Sequence, residues 1–330
     1  MKTDLGSIAR HRAFLGRPCK NGSVEPFPCE AETVFKTQTY GLKKRLKAIG
    51  CKSVCIGLSG GLDSTLVMLV AYQAFRELRL DMAGLHLYTM PGFGTTRRTK
   101  GNAVKLAEGL GLKCETISIV KACRQHLKDI GHDGKTPDIT FENAQARMRT
   151  MVLFDKANMH GALNLGTGDM SEAALGWCTY NGDQMSHFGV NAGVPKTVVR
   201  KVCAWWADKH PGKAAEAIKD IVATPISPEL IPGQVTENTV GPYELHDFFL
   251  WNFIVNEMGK KELAGSAEKY FAGRFGKDEI DKTLQIFLRR FFTQAFKRNC
   301  SPDGIKVFKF DLGPHGFRVP SDLGVPEMFR

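Results

Sequence analysis

The sequence predicts an α/β protein built on a parallel, doubly wound sheet, followed by a helical C-terminal part. Three observations carry that expectation. Short β-rich runs ("SVCIGL", "MAGLHLYTM", "CETISI", "ALNLG") alternate with helix-period segments over the first half of the chain. The first of these runs is continuously apolar rather than alternating, as in strands covered on both faces. Past Lys196 the strand signal stops and helical periodicity takes over.

Taken in order, residues 1–33 carry Gly, Pro, Asn and Ser without a period and read as an arm or loop. A helix then follows over "AETVFKTQTYGLKKRLKAIG", with Val34, Tyr40, Leu42, Leu46 and Ile49 apolar and Gly50 suited to end it. "SVCIGL" is the first strand and "TLVMLVAYQAFREL" the helix behind it. "MAGLHLYTM", "CETISI" and "ALNLG" are further strands, separated by helices over "TKGNAVKLAEGLG", "KACRQHLKDIG" and "ENAQARMRTMVLFDKANMHG". Helices are expected near 197–209, 213–221, 243–258 and 278–296. One large domain over 34–300 is the simplest division, with 301–330 a Gly- and Pro-rich tail wrapping the surface.

Composition narrows the class. With 330 residues, 43% of them hydrophobic and 24% charged, the chain has the make-up of an ordinary globular protein. No apolar stretch reaches the roughly 18 residues needed to span a bilayer, and no apolar leader segment is visible, which places the protein in the cytoplasm and away from membranes. The 9 cysteines are scattered, odd in number and free of any C-x-x-C pair, arguing against a disulfide framework or a zinc site. A formal charge of +11 is spread along the chain rather than gathered into a run or interleaved with aromatics. That distribution argues against nucleic acid and suits anionic small substrates.

Chemistry concentrates in three places. "SGGLDS" (Ser59 to Ser64) joins the first strand to its helix, so it lies at the carboxyl edge of the sheet, beside a helix N-terminus. Gly60 and Gly61 let backbone approach a phosphate, and Ser59 and Ser64 add hydroxyl donors. The loop lacks the lysine of a G-x-x-x-x-G-K-[ST] turn and carries Asp63 instead. A carboxylate beside phosphates is repulsive unless Mg²⁺ lies between them, although an Asp or Ser here would also serve as a helix cap.

The second place is "LGTGDMSEAALGW", which follows "ALNLG" and so sets Thr167, Asp169 and Glu172 at the same sheet edge. These groups suit a Mg²⁺ site; equally, Asp169 or Ser171 would cap a helix with Glu172 in its first turn. The third is "YNGDQMSHFGVNAGVPKT", which brings Asp183 and then Lys196 just ahead of a helix. That lysine either neutralises charge developing on a phosphoryl or acyl oxygen or sits solvated on the surface.

"SGGLDS" resembles the loop of the N-type ATP pyrophosphatases. Together with "MPGFGTT", "TFENAQAR", "GTGDMSEAALGW", "YNGDQMS" and "NAGVPKT" in this order, it is similar to the NAD synthetases, above all to the synthetase portion of the glutamine-dependent ones. The resemblance runs from residue 35 to residue 300. It implies an adenine nucleotide alpha hydrolase-like fold and a ligase that makes NAD from nicotinic acid adenine dinucleotide. ATP adenylylates the nicotinate carboxylate, pyrophosphate leaves, and ammonia displaces AMP.

By motif position the resemblance assigns Ser59, Gly60, Gly61, Leu62, Asp63 and Ser64 to the ATP-binding loop and Mg²⁺ to Asp63 and Glu172. Thr167 and Lys196 would contact the ATP phosphates or the adenylate, with Asp63, Thr167 and Lys196 as the catalytic set. Ser227 would contact the nucleotide. Asn143 and Arg147, one helical turn apart, match a pair that reads the dinucleotide, and Asp183 matches an acid near its pyridine end. Phe141 would either shelter the pyridine ring or belong to the core. Lys297 and Arg298 match a basic pair that reaches the active-site region.

The resemblance also implies a homodimer, with "HDFFLWNFIV" offering apolar surface for a second copy or simply forming a core helix. Departures from the pattern are Arg97, where many long relatives have Asp, Thr89, where small relatives have an adenine-contacting Arg, and His187, where small relatives have an acid. His187 either tunes the nicotinate pocket or is a polar residue facing solvent. Glutamine-dependent relatives carry a glutaminase domain ahead of the synthetase portion, and the chain ahead of the first strand is too short for one. The expectation is therefore free ammonia as nucleophile, or a separate glutaminase chain that supplies it. A different ATP pyrophosphatase of the same loop family, such as a tRNA-modifying enzyme, and a non-catalytic nucleotide-binding partner are the alternatives.

Overall fold

The structure, a computed structural model, describes residues 26–227, 230–231, 235–322 and 324–329, with residues 97–100 and 328 described by backbone alone. Most of the arm expected at 1–33 and one of the nine cysteines, Cys19, lie outside the described residues. The side chain of Arg97 does too.

The first helix, α1 (Ala31–Ala48), buries Val34, Gln38, Leu42 and Leu46, a row spaced four apart, and turns off through Gly50 at φ +64°. Strand β1 (Val54–Gly57) follows, then α2 (Leu62–Leu78), β2 (Leu85–Thr89), α3 (Arg97–Gly109), β3 (Cys114–Thr116), α4 (Val120–Asp129), α5 (Ile139–His160) and β4 (Leu163–Gly166). The alternation read from the sequence is present, with shorter strands. "MAGLHLYTM" loses its first residues to a 3-10 turn because the Asp81 side chain accepts the Ala83 N–H at 2.9 Å. "CETISI" keeps three residues in the ladder before α4 begins at Val120.

A two-residue strand, β5 (Phe188–Gly189), completes a parallel five-stranded sheet in the order β3-β2-β1-β4-β5. The chain runs outward from β1 to β3, then returns to β4 on the other side of β1. The direction of winding therefore reverses between β1 and β4, and the crevice at their carboxyl ends is where ligands bind in such sheets. β1 is the central strand, buried on both faces. Val54 and Ile56 belong to the large core on the side of α2, while Cys55 packs on the other face, where α4 and α5 lie.

Beyond α6 (Met170–Leu175) come α7 (Lys196–Lys209), α8 (Lys213–Val222), α9 (Thr236–Val240), α10 (Tyr243–Ile254), α11 (Lys260–Tyr270), α12 (Lys277–Thr293) and α13 (Ala295–Asn299). α10 carries the aromatic run that offered either an interface or a core. It is core: Phe248 and Phe249 are 0% exposed, and Phe287 of α12 stacks beside Phe249. A second copy of the chain, if present, must use another surface. The tail also does more than wrap. Ile305 donates its N–H to Gly189 at 3.1 Å, extending the edge beside β5, and Phe310 and Leu312 are buried. Phe27, read as part of the arm, packs against Trp251 and Phe308. Among the described residues all cysteines are free thiols, and no helix is long and apolar enough to cross a membrane.

His246 sits in this helical half, 2% exposed, donating Nε2–H to the Val240 carbonyl at 2.7 Å while Nδ1 has no partner. Burial pushes its pKa down to about 4, opposed by the Val240 bond and aided by Arg290. The unfolded chain takes up this proton below about pH 6.5, whereas the fold resists it until about pH 4. We expect unfolding free energy to fall by ~3 kcal/mol from this residue as pH drops from 6.5 to 4. Denaturant titrations at several pH values check it: in His246→Phe that part of the acid slope should vanish, and an unchanged slope would refute the assignment.

Candidate active site

The loop after β1 holds its own shape. Gly60 has φ +87°, a left-handed conformation that suits glycine. Ser59 N–H donates to Ser64 Oγ at 3.3 Å, and Gly61 N–H donates to Ser59 Oγ at 3.1 Å. Thr65 Oγ1 donates to the Gly61 carbonyl at 2.8 Å. The turn delivers Asp63 in the first turn of α2, at the carboxyl end of β1.

β4 ends one position away in the sheet. Asp169 caps α6 there by accepting the Glu172 N–H at 2.8 Å, and Glu172 Oε2 accepts the Asp169 N–H at 3.4 Å. Capping and site formation, alternatives in the sequence, coexist. One oxygen of Asp169 caps the helix and the other faces Lys196.

Lys196 opens α7 after β5. Its Nζ lies 2.6 Å from Asp63 Oδ2, 2.8 Å from Asp169 Oδ2 and 2.9 Å from Glu172 Oε1. The lysine is 1% exposed, so the surface reading is excluded. Burial works against its charge, but Asp169, Asp63 and Glu172 together overcome it and hold its pKa well above the ordinary lysine value. Burial likewise lifts Asp169 well above the carboxylate range and Glu172 to about 7. Lys196 opposes both shifts, and the neighbouring acids reinforce them. Formally, the cluster holds more negative than positive charge.

Ligand atoms of Asp63, Asp169 and Glu172 lie within 4.8 Å of one another, and Oδ1 of Asp63 is buried without a hydrogen-bond partner. An all-oxygen set of this kind fits a hard divalent cation such as Mg²⁺. Asp169 belongs to it alongside the two acids expected from the motifs.

The cluster borders a cavity of about 850 Å³. Ser59, Asp63, Ser64, Thr167 and Glu172 form its wall on one side, and Ser227 lines it as well. Across it, α5 presents Asn143 and Arg147 on one face. Asn143 Oδ1 accepts from Thr179 Oγ1 at 2.7 Å, and Arg147 Nε donates to the Tyr180 carbonyl at 3.2 Å. Asp183, an exposed residue at the cavity, accepts the Thr179 N–H at 2.7 Å. Lys297 donates to the carbonyls of Gly176 and Cys178 at 2.9 and 2.7 Å. The segment 176–183 is thus clamped between α5 and α13. Arg149 and Arg290 join Arg147 and Lys297 in the wall, a cationic surround for anionic ligands.

Several expected residues fall elsewhere. Arg298 is 3% exposed and spends its guanidinium on the carbonyls of Ala173, Ala174 and Phe291, so it holds the end of α6 rather than lining the large cavity. Phe141 stacks on Phe93 at 4.9 Å beside Leu127 and Ala144, the core alternative. Gly60, Gly61 and Leu62 shape the loop without lining the cavity, and Leu62 is in the core. Lys196 lies behind the acids rather than in the wall. His187 is surface-exposed and its Nδ1 accepts the Asn164 N–H at 3.0 Å, which fastens it to β4 outside the cavity wall. Thr89 is buried in the cavity wall.

Three positions were missed. Asn191, 0% exposed, donates Nδ2 to the Asp63 carbonyl at 3.0 Å and the Thr167 carbonyl at 3.2 Å, joining the two site loops from beneath. Its Oδ1 accepts from Gln38 Nε2 at 2.9 Å. Gln38 had a visible signal, a polar residue on the buried row Val34, Leu42, Leu46; Asn191 had none. Asp247 of α10 accepts from Ser171 Oγ, from Thr197 N at 2.9 Å and from Thr197 Oγ1 at 2.7 Å, tying α6 and α7 to the helical half.

A sequence model of the family described as NAD synthase matches residues 34–273. The chain is 40% identical to the glutamine-dependent NAD(+) synthetase of Mycobacterium tuberculosis over 97% of its own length and 51% of that protein's. It is 34% identical to the enzyme of the same name from Thermotoga maritima over 86% and 46%. The chain therefore spans about half the length of the curated relatives it matches. Among solved structures, a glutamine-dependent NAD(+) synthetase from Cytophaga hutchinsonii aligns at TM-score 0.71 and 19% identity, covering 91% of this chain and 55% of that one. The NH3-dependent NAD synthetase from Campylobacter jejuni aligns at 0.54 and 18%, covering 82% and 96%. At such identities these structures bear on the fold alone.

Asn191→Ala removes the donor from two carbonyls at once. We expect it to cost about 2 kcal/mol of unfolding free energy, since each lost hydrogen bond contributes roughly 0.5–1.5 kcal/mol. Chemical denaturation of the variant checks this, and a loss under about 0.5 kcal/mol, the level of ordinary surface changes, would show that the loops are held by other means.

Proposed function

The chain belongs to the NAD synthase family, matched over residues 34–273, and from that premise we propose that it is an ATP-dependent ligase that amidates nicotinic acid adenine dinucleotide, with ammonia as nucleophile. The observation that carries the reading is the cluster of Asp63, Asp169 and Glu172, which through Asp63 and Glu172 borders a cavity also lined by Asn143, Arg147 and Asp183. The acids suit a metal-bridged polyphosphate, and the amide and guanidinium suit an anionic dinucleotide with a polar ring.

The chemistry is a two-step exchange. An oxygen of the nicotinate carboxylate attacks the α-phosphorus of ATP, the α–β bridge breaks and pyrophosphate leaves. Ammonia then attacks the acyl carbon, AMP departs with the carboxylate oxygen, and the amide remains after proton loss. Activation is needed because a free carboxylate resists a neutral amine. Mg²⁺, held by Asp63 and Glu172 with Asp169 beside them, would neutralise charge on the departing pyrophosphate. Ser59 and Ser64 would hold its oxygens, with Thr167 and Lys196 on the phosphates or the adenylate and Ser227 on the nucleotide. Gly60 and Gly61 would act through the loop conformation. Asn143 and Arg147 would read the dinucleotide, with Asp183 near its pyridine end and Lys297 holding the intervening segment.

The reading places the protein in the cytoplasm as a homodimer. The relatives are named for glutamine, and the share of their length matched here is about half. Free ammonia is the nucleophile of the primary reading, and ammonia from a separate glutaminase chain is its variant. A tRNA-modifying role finds no C-x-x-C pair in this sequence to support it.

Purified protein with ATP, Mg²⁺ and nicotinic acid adenine dinucleotide should form NAD and pyrophosphate with ammonium. Folded protein that forms none refutes the proposal, and turnover on glutamine alone would refute ammonia as the supplied nucleophile. Asp63→Asn should retain the fold and lower kcat roughly a hundredfold, about 3 kcal/mol of transition-state stabilisation. Undiminished turnover would remove Asp63 from the metal site.

A further inference from the structure

Lys196 is asked to contact phosphate, yet in the structure its ammonium is taken up by acids. Nζ donates to Asp63 Oδ2 at 2.6 Å and to Glu172 Oε1 at 2.9 Å, the distances of charge-assisted hydrogen bonds. Asp169 Oδ2 stands 2.8 Å away as an ion pair without hydrogen-bond alignment, a buried oxygen with no hydrogen bond of its own. The side chain is 1% exposed, so no water competes for it. The same three residues are the set that fits a divalent cation.

A magnesium ion draws carboxylate oxygens to about 2.1 Å and sits centrally among them. The Nζ of Lys196 already holds that central place. Ion and ammonium cannot share it: two cations so close repel strongly in a site from which water is excluded. Without either one, buried carboxylates drawn from two loops would face each other unpaired, a costly arrangement.

We propose that Lys196 is an internal stand-in for the metal: it holds the three carboxylates together in the metal-free protein and yields its place when the ion arrives, freeing its ammonium to turn toward the cavity. This rests on the proposed metal-dependent reaction and adds to it an order of events, in which Lys196 meets phosphate only after the metal has taken the carboxylates. The exchange is feasible because the lysine stem is long and has several rotatable bonds, and it springs from the first residue of α7.

The test uses Mn²⁺ as the probe, without nucleotide, on the whole protein. Free Mn²⁺ followed by electron paramagnetic resonance should show Lys196→Met binding the ion at least tenfold more tightly than the parent. Equal or weaker binding overturns the proposal. In chelator, Lys196→Met should melt below the parent, and saturating Mn²⁺ should recover more of its melting temperature than it adds to the parent. A variant stable without metal overturns the stand-in role. Should the variant not fold, the parent decides: a Mn²⁺-soaked crystal should show the anomalous peak among Asp63, Asp169 and Glu172, with Nζ displaced from them. A peak elsewhere, with Nζ still in place among the three acids, overturns the exchange. None of these readouts uses NAD formation, so a parent inactive in that assay would sink the functional reading while leaving metal exchange to be judged on its own.

Discussion

One buried ammonium among three carboxylates is the constraint on which the site depends. The four groups come from three separate stretches that emerge at neighbouring strand ends: Asp63 after β1, Asp169 and Glu172 after β4, Lys196 after β5. None of the acids has a satisfactory environment without the lysine, and the lysine has none without them, because burial disfavours every charge individually. The cluster is therefore a closure condition on the fold as well as a piece of chemistry. Three acids share one ammonium there, and their oxygens are the set that fits a divalent cation.

Everything beneath the cluster is arranged to hold loops that have little regular structure of their own. Asn191 bonds the carbonyls of both acid-bearing loops, and Gln38 in turn orients Asn191, so α1, far away in sequence, helps set the distance between Asp63 and Thr167. From the other direction Asp247 fastens Ser171 and Thr197, the residues adjoining Glu172 and Lys196. Burial pushes Asp247 up to about 6, a sign of how far the site's supports have been drawn out of water. The helical half is not an appendage. It anchors the starts of α6 and α7, and through Lys297 it also holds the cavity wall.

The cavity shows a division of labour that suits the family chemistry. Acids and hydroxyls line it beside the cluster, and Asn143 and Arg147 of α5 line it where they bond the segment clamped between α5 and α13. The chain spans about half the length of the curated relatives it matches.

The alternating strands and helices, the parallel winding and the three chemical loops were legible in the sequence, since each depends on local signals: continuous apolar runs, glycine at turns, and acids or hydroxyls just past a strand. Strand β5 was not legible, because two residues carry no periodicity and are paired only through β4 and the later chain at Gly304. The sequence likewise left Asp169 between cap and ligand, Lys196 between site and surface, and Phe141 between pocket and core. Only tertiary packing decided these, by sending one Asp169 oxygen to each task, burying Lys196 and stacking Phe141 on Phe93. Packing also decided the direction of Arg298, which lines a small pocket with Asp169 and Glu172: a motif specifies which residue stands at a position, whereas the direction its side chain takes depends on which carbonyls the folded chain offers nearby. Asn191 could not be read at all, since a polar side chain whose partners are backbone atoms of distant loops leaves no mark in its own neighbourhood of the sequence.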